Sequence, residues 1–99
     1  MKEVALTPRA VADLAEIRRY SRRIWGAAQA RRYLEELGRR FEALAAGTAA
    51  VRDAGFADGY FRCRHGSHLI IFTETAEQVR VVRVLHVRMD IAAKLGPGE

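Results

Sequence analysis

Residues 60–73 read Tyr60-Phe61-Arg62-Cys63-Arg64-His65-Gly66-Ser67-His68-Leu69-Ile70-Ile71-Phe72-Thr73. The first six alternate with period two, which places Phe61 and Cys63 on one face of a strand and Arg62 and Arg64 on the other. Gly66-Ser67 is a two-residue hairpin signal. His68–Thr73 is nearly all apolar and rich in β-branched residues, the pattern of a central strand covered on both faces. A turn at Thr75-Ala76-Glu77-Gln78 then sends the chain back as a third strand, Val79–Val87, with valine at five positions. Three strands of a meander therefore occupy the second half of the chain.

Upstream the period changes from two to 3.6. Thr7-Pro8 opens a helix, the hydroxyl capping free N–H groups and proline sitting where its missing N–H costs nothing. Ala10, Leu14, Ile17, Ser21 and Ile24 fall on one stripe of that helix, which is expected over Pro8–Arg23. Gly26 interrupts it, and a second helix follows over Ala27–Ala46, with Ala30, Tyr33, Leu34, Leu37, Phe41 and Leu44 on its apolar face. So short a link requires an antiparallel helical hairpin. A short strand, Glu3–Leu6, precedes the helices, and residues 48 to 58 show no clear period. Asp90 is placed to cap a last helix over Ile91–Leu95, stopped by Gly96-Pro97. The order β-α-α-β-β-β with a short C-terminal helix predicts an α+β fold: one domain over residues 1–99, a helical hairpin on an antiparallel sheet.

Composition narrows the function classes. Ninety-nine residues with 49% hydrophobic and 29% charged side chains exclude disordered and collagen-like chains. The run Leu69–Phe72 is far below the ~18 apolar residues a membrane span needs. No signal region opens the sequence and Cys63 is the one cysteine, so a cytoplasmic protein without internal disulfides is expected. Seventeen basic residues, fifteen of them arginine, face twelve acidic ones for a net charge of +5. That balance suits an anionic partner.

The charges are unevenly placed. On the second helix Arg31, Arg32, Glu35, Glu36, Arg39 and Arg40 give four i, i+4 pairings, the pattern of a self-neutralised face. On the first helix Arg18, Arg19, Arg22 and Arg23 have no acid four positions later, and form an anion-seeking ridge. Cys63, His65 and His68 resemble a metal cluster only on paper, since paired-ligand zinc spacings are absent and no metal or other cofactor is expected. Arg62, Arg64, Arg83, His86 and Arg88 sit in or just after the sheet. A histidine among arginines suits RNA cleavage, but a second proton-transfer group is needed, and Tyr60 is the only phenol of the strand region. The competing reading is structural: arginines lining an exposed face, and His86 hydrogen-bonded at a strand end.

Three stretches together resemble the ParE branch of the RelE/ParE toxin superfamily. They are Leu6-Thr7-Pro8-x-Ala10-x-x-Asp13-Leu14-x-x-Ile17-x-x-Tyr20, Gly26-x-x-x-Ala30-x-x-Tyr33-x-x-x-Leu37 and Val82-Arg83-Val84-Leu85-His86-x-Arg88-x-Asp90. The resemblance implies a bacterial type II toxin, neutralised by a ParD-like antitoxin in a 2:2 or larger assembly. It implies DNA gyrase as target, with ribosome-dependent mRNA cleavage of the RelE kind as the alternative. The absence of lysine between Lys2 and Lys94, and of tyrosine after Tyr60, weighs for an inhibitor over an enzyme. Arg18, Arg22, Arg62 and Arg64 are expected to meet the antitoxin's acids, and Arg83, His86 and Arg88 the target. No membrane association and no sequence-specific nucleic-acid binding by the toxin alone are expected.

Overall fold

The computed structural model describes residues 1–95, so the expected stop at Gly96-Pro97 lies outside the described residues. The elements are β1 (Glu3–Leu6), α1 (Pro8–Trp25), α2 (Ala27–Ala46), β2 (Arg52–Asp53), β3 (Phe61–His65), β4 (His68–Glu74), β5 (Gln78–His86) and α3 (Ile91–Leu95). The helical hairpin on a sheet is as expected. Two details differ. A two-residue strand, β2, lies within the connection read as irregular, and α1 runs two residues past Arg23.

The sheet order is β1-β5-β4-β3-β2, antiparallel throughout except that β1 runs parallel to β5, from Glu3↔Gln78 to Leu6↔Val81. The sheet is therefore mixed. A parallel neighbour needs a long crossover, and the helical hairpin begins that connection directly after Leu6. Thr7 fixes the departure. Its Oγ1 accepts from the Ala10 N–H at 3.1 Å, capping α1, and donates to the Val82 carbonyl at 2.7 Å.

The link between helices is Gly26 alone, at φ 91°, a conformation β-carbons resist. Gly47 closes α2 in the left-handed conformation, with Thr48 N–H returning to the Ala43 carbonyl. The core forms on both sheet faces. Toward the helices Ile70, Phe72, Val79, Val81 and Val84 pack on Ala10, Ile17, Leu37, Phe41 and Leu44. On the other face Ile71, Val82 and Leu85 are covered by Leu95 and Ile91 of α3, with Phe56 and Tyr60. Burial of each large aliphatic or aromatic chain stabilises the fold by about 1.5–3 kcal/mol.

One irregularity sets the end of the sheet. Between Ile71 and Phe72 the β4–β5 register shifts, so that Phe72 faces Val81 while Ile71 faces Arg83. Val82 is the extra residue of this bulge. Past it, His68 stands opposite His86.

Candidate functional site: a helical groove, a histidine row and an arginine cleft

The outer side of the helical hairpin carries a groove of about 710 Å³. Leu6, Val11, Leu14, Ala15, Ala27, Ala30 and Leu34 form its apolar lining, with Arg18, Arg22, Arg31 and Glu35 among them. Leu14 and Leu34 of this lining also pack against the core and Ala30 is buried, so the open apolar surface comes from Leu6, Val11 and Ala27. Val11 is 53% exposed.

At the open end of the sheet all three histidines fall in line across β3, β4 and β5. His65 is in register with His68, and His68 with His86. The His68 and His86 rings meet edge to face at 5.7 Å. From α2, Tyr33 reaches this row. Its hydroxyl lies 2.7 Å from His68 Nδ1 and 3.1 Å from the His65 carbonyl, and accepts the Ser67 N–H at 3.3 Å. One phenolic proton cannot serve both of the first two. Every contact is satisfied when His68 Nδ1–H donates to Tyr33 and Tyr33 donates to His65 O.

Burial explains the electrostatics of the row. It drives the His68 pKa down to about 4, helped by His86 and His65 and opposed by Asp13. Burial lowers His65 as well, with Arg40 adding to it, and among the described residues neither His65 ring nitrogen has a hydrogen-bond partner. The Tyr33 phenol is held up by desolvation, and so is the Cys63 thiol, which remains a protonated, buried side chain. Among the described residues no three potential ligands are placed to hold a metal.

The residues singled out from sequence separate onto different surfaces. Arg18 and Arg22 line the helical groove. Arg62 and Arg64 lie instead in a cleft of about 550 Å³ at the far sheet edge, with Arg40 and Arg52. Arg83 is not an open cation: it is held by Asp13 and also donates to the Lys94 carbonyl at 3.3 Å. His86 accepts the Arg88 N–H on Nδ1 at 3.1 Å, the strand-end arrangement expected of a structural histidine, and Arg88 is exposed in the turn that follows. Tyr60 stacks on Phe56 on the opposite face from the histidines, so the phenol beside them is Tyr33. None of the four α2 pairings closes to an ion pair. At an exposed site each offers only ~0.2–0.5 kcal/mol, too little to fix two long side chains.

Comparison with known proteins agrees with this architecture. A family model described as ParE toxin of type II toxin-antitoxin system, parDE, matches residues 4–91. The chain is 39% identical over 97 residues to Toxin ParE1 of Caulobacter vibrioides, covering 97% of this chain and all of the relative. It is equally identical over 97 residues to Toxin ParE of Escherichia coli, covering 96% of this chain and 94% of that one. Among solved structures, a chain of the chromosomal ParDE system of P. aeruginosa superposes with a TM-score of 0.74 at 17% identity, covering 89% of this chain and 98% of that one. The YoeB dimer of Staphylococcus aureus shares the fold at a TM-score of 0.61 and 11% identity, over 86% and 95% of the two chains. With matching elements and near full-length similarity, the chain belongs to the ParE toxin family of type II toxin–antitoxin systems.

Proposed function

We propose that this toxin is held inactive by a ParD-like antitoxin whose acidic, amphipathic segment folds into the α1–α2 groove, and that the released toxin inhibits DNA gyrase. The groove carries the first half of this reading. It offers an apolar floor for one helix face, and Arg18 and Arg22 at its sides for acids on the neighbouring face. The solved structural neighbour from P. aeruginosa is described as part of a ParDE system, which supports the same pairing. A dimeric antitoxin would give a 2:2 or larger assembly. Val11→Glu combined with Arg18→Glu and Arg22→Glu should weaken antitoxin binding at least tenfold in a titration. An affinity within a factor of two of the parent would remove the groove from consideration.

Gyrase as target rests on family membership, and an inhibitor needs a fitted, basic surface and no assembled acid–base set. Purified toxin should block supercoiling or trap cleaved DNA, and His86→Gln should keep most of that effect. The competing reading, ribosome-dependent mRNA cleavage, gains from one observation: a second imidazole, His68, stands beside His86. Codon-specific cleavage in a translation extract that vanishes with His86→Gln would replace the gyrase reading.

A further inference from the structure

The cleft at the β2–β3 edge breaks a rule of sheet design. Arg52 and Arg62 are cross-strand partners, which puts two like charges about 5 Å apart at Cα on one face. Arg64, two residues along β3, repeats the charge on the same face roughly 6.7 Å further. Arg40 of α2 completes the lining with Ala50, Val51, Leu69 and Val87. Among the described residues no acidic side chain lines this cleft. The nearby acids do not neutralise it: Asp53 turns back to accept the Gly55 N–H at 2.7 Å, and Glu36 forms no ion pair with Arg40. Arg40, Arg52 and Arg62 make no side-chain hydrogen bond or ion pair within the described residues, and Arg64 donates only to the Gly66 carbonyl at 3.0 Å. Four guanidinium-bearing residues thus share about 550 Å³, at a standing electrostatic cost.

From this we infer that the arginine cleft binds the phosphate backbone of duplex DNA without reading its sequence. A local rule broken without an internal compensation points to an external one. Guanidinium is the side chain best matched to phosphate oxygens. Charge density favours nucleic acid over an acidic peptide. An extended peptide carries at most one carboxylate per about 3.3 Å, whereas a duplex carries one charge per about 1.7 Å of axis. Duplex is favoured over single strands because no aromatic ring lines the cleft, so unpaired bases find no stacking platform. The inference deepens the gyrase reading, on which its biological meaning rests: a toxin that grips DNA would engage gyrase where it holds its substrate.

The test is binding of a fluorescent mixed-sequence duplex to the full-length toxin, from about 50 to 200 mM salt. Four neutralised phosphates predict a log–log salt slope near −3.6, a loss of ~150-fold across that range. Arg62→Gln with Arg64→Gln should reduce the slope by about 1.8, and the single exposed change Arg52→Gln by about 0.9. Arg18→Gln with Arg22→Gln, in the helical groove, should leave it unchanged. An unaltered slope in the Arg62/Arg64 and Arg52 variants overturns the proposal. So does tighter binding of single-stranded RNA or of poly-glutamate at matched salt. Supercoiling assays on the same preparations keep the two ideas apart. DNA binding without gyrase inhibition sinks the target reading alone, while inhibition by parent toxin that binds no duplex sinks the cleft proposal alone.

Discussion

Asp13 and Arg83, 70 residues apart in sequence, are joined by two nearly parallel bonds: Nε to Oδ2 at 2.8 Å and Nη2 to Oδ1 at 3.0 Å. Both side chains are about 85% buried, with 15% and 14% of their surface exposed. Asp13 Oδ2 also accepts the Val84 N–H at 2.9 Å, beyond the point where β1 ceases to pair with β5. One carboxylate thus ties α1 to both the side chain and the backbone of β5.

Breaking a largely buried pair from one side costs more than removing it whole, because the survivor stays desolvated. Asp13→Ala should therefore lower the unfolding free energy by about 3 kcal/mol. Arg83→Met should cost less, since Asp13 keeps the Val84 amide. The double variant should cost less than the sum by about 1–3 kcal/mol in urea denaturation. Strict additivity would show that the pair contributes nothing as a pair.

Gly66 sits at φ +57°, and a β-carbon there would lie 2.7 Å from the Tyr33 hydroxyl and 2.9 Å from its Cε1. Gly66→Ala should destabilise the protein by about 1–3 kcal/mol through backbone strain and displacement of Tyr33. Making the same change in a Tyr33→Ala background should cost clearly less, because only the backbone share remains. Equal costs in the two backgrounds, measured by thermal unfolding, would mean the ring yields freely.

His68 titrates near 4 when folded and near its ordinary 6.5 when unfolded. Between those values the unfolded chain binds the extra proton, so stability rises with pH through this window. The contribution is complete above about pH 6.5 and is lost as pH falls toward 4. His65, lowered in the same direction, adds to the slope. Denaturation midpoints should fall between pH 7 and 5, and His68→Gln should flatten that fall. A midpoint independent of pH over this range in the parent protein would contradict the buried neutral imidazole.

Asp90 holds the start of α3, its Oδ1 accepting the Ala93 N–H at 3.3 Å. Loss of an N-cap costs ~0.5–2 kcal/mol, a large share of what a five-residue helix has to hold it. Asp90→Ala should speed amide exchange over residues 91–95 while β4 and β5 keep their protection. Unchanged exchange at Ala93 would assign the cap elsewhere.

The local signals were legible in sequence because their causes are local. Thr7-Pro8, the glycines at 26 and 47, the Gly66-Ser67 turn and Asp90 each act within a few residues, and each marks an element boundary in the fold. Relations between distant segments were not legible. Period-two counting gives no means of placing Glu3–Leu6 beside β5, and Arg52-Asp53 is too short to alternate. Tyr33 reads as one more apolar-face residue of α2, although its hydroxyl organises the β3–β4 turn. A two-residue turn does fix His65 opposite His68, so half of the histidine row was within reach. The pairing of His68 with His86 was not, because it depends on the bulge.

That bulge acts as a phase shifter. Counting back from Glu74↔Val79 without a bulge, His68 would pair with Leu85 and not with His86. Excising Val82 would leave a regular ladder with Leu85 still toward α3 and His86 still opposite His68. Pairing Val82 into the ladder, with no bulge, is what would turn Leu85 toward the helical hairpin and carry the His86 imidazole to the α3 side, away from Tyr33. A one-residue change of length elsewhere in this strand is therefore not neutral, whereas loss of Val82 keeps both faces. The identity of the surface at this end of the toxin is stored in the parity of β5.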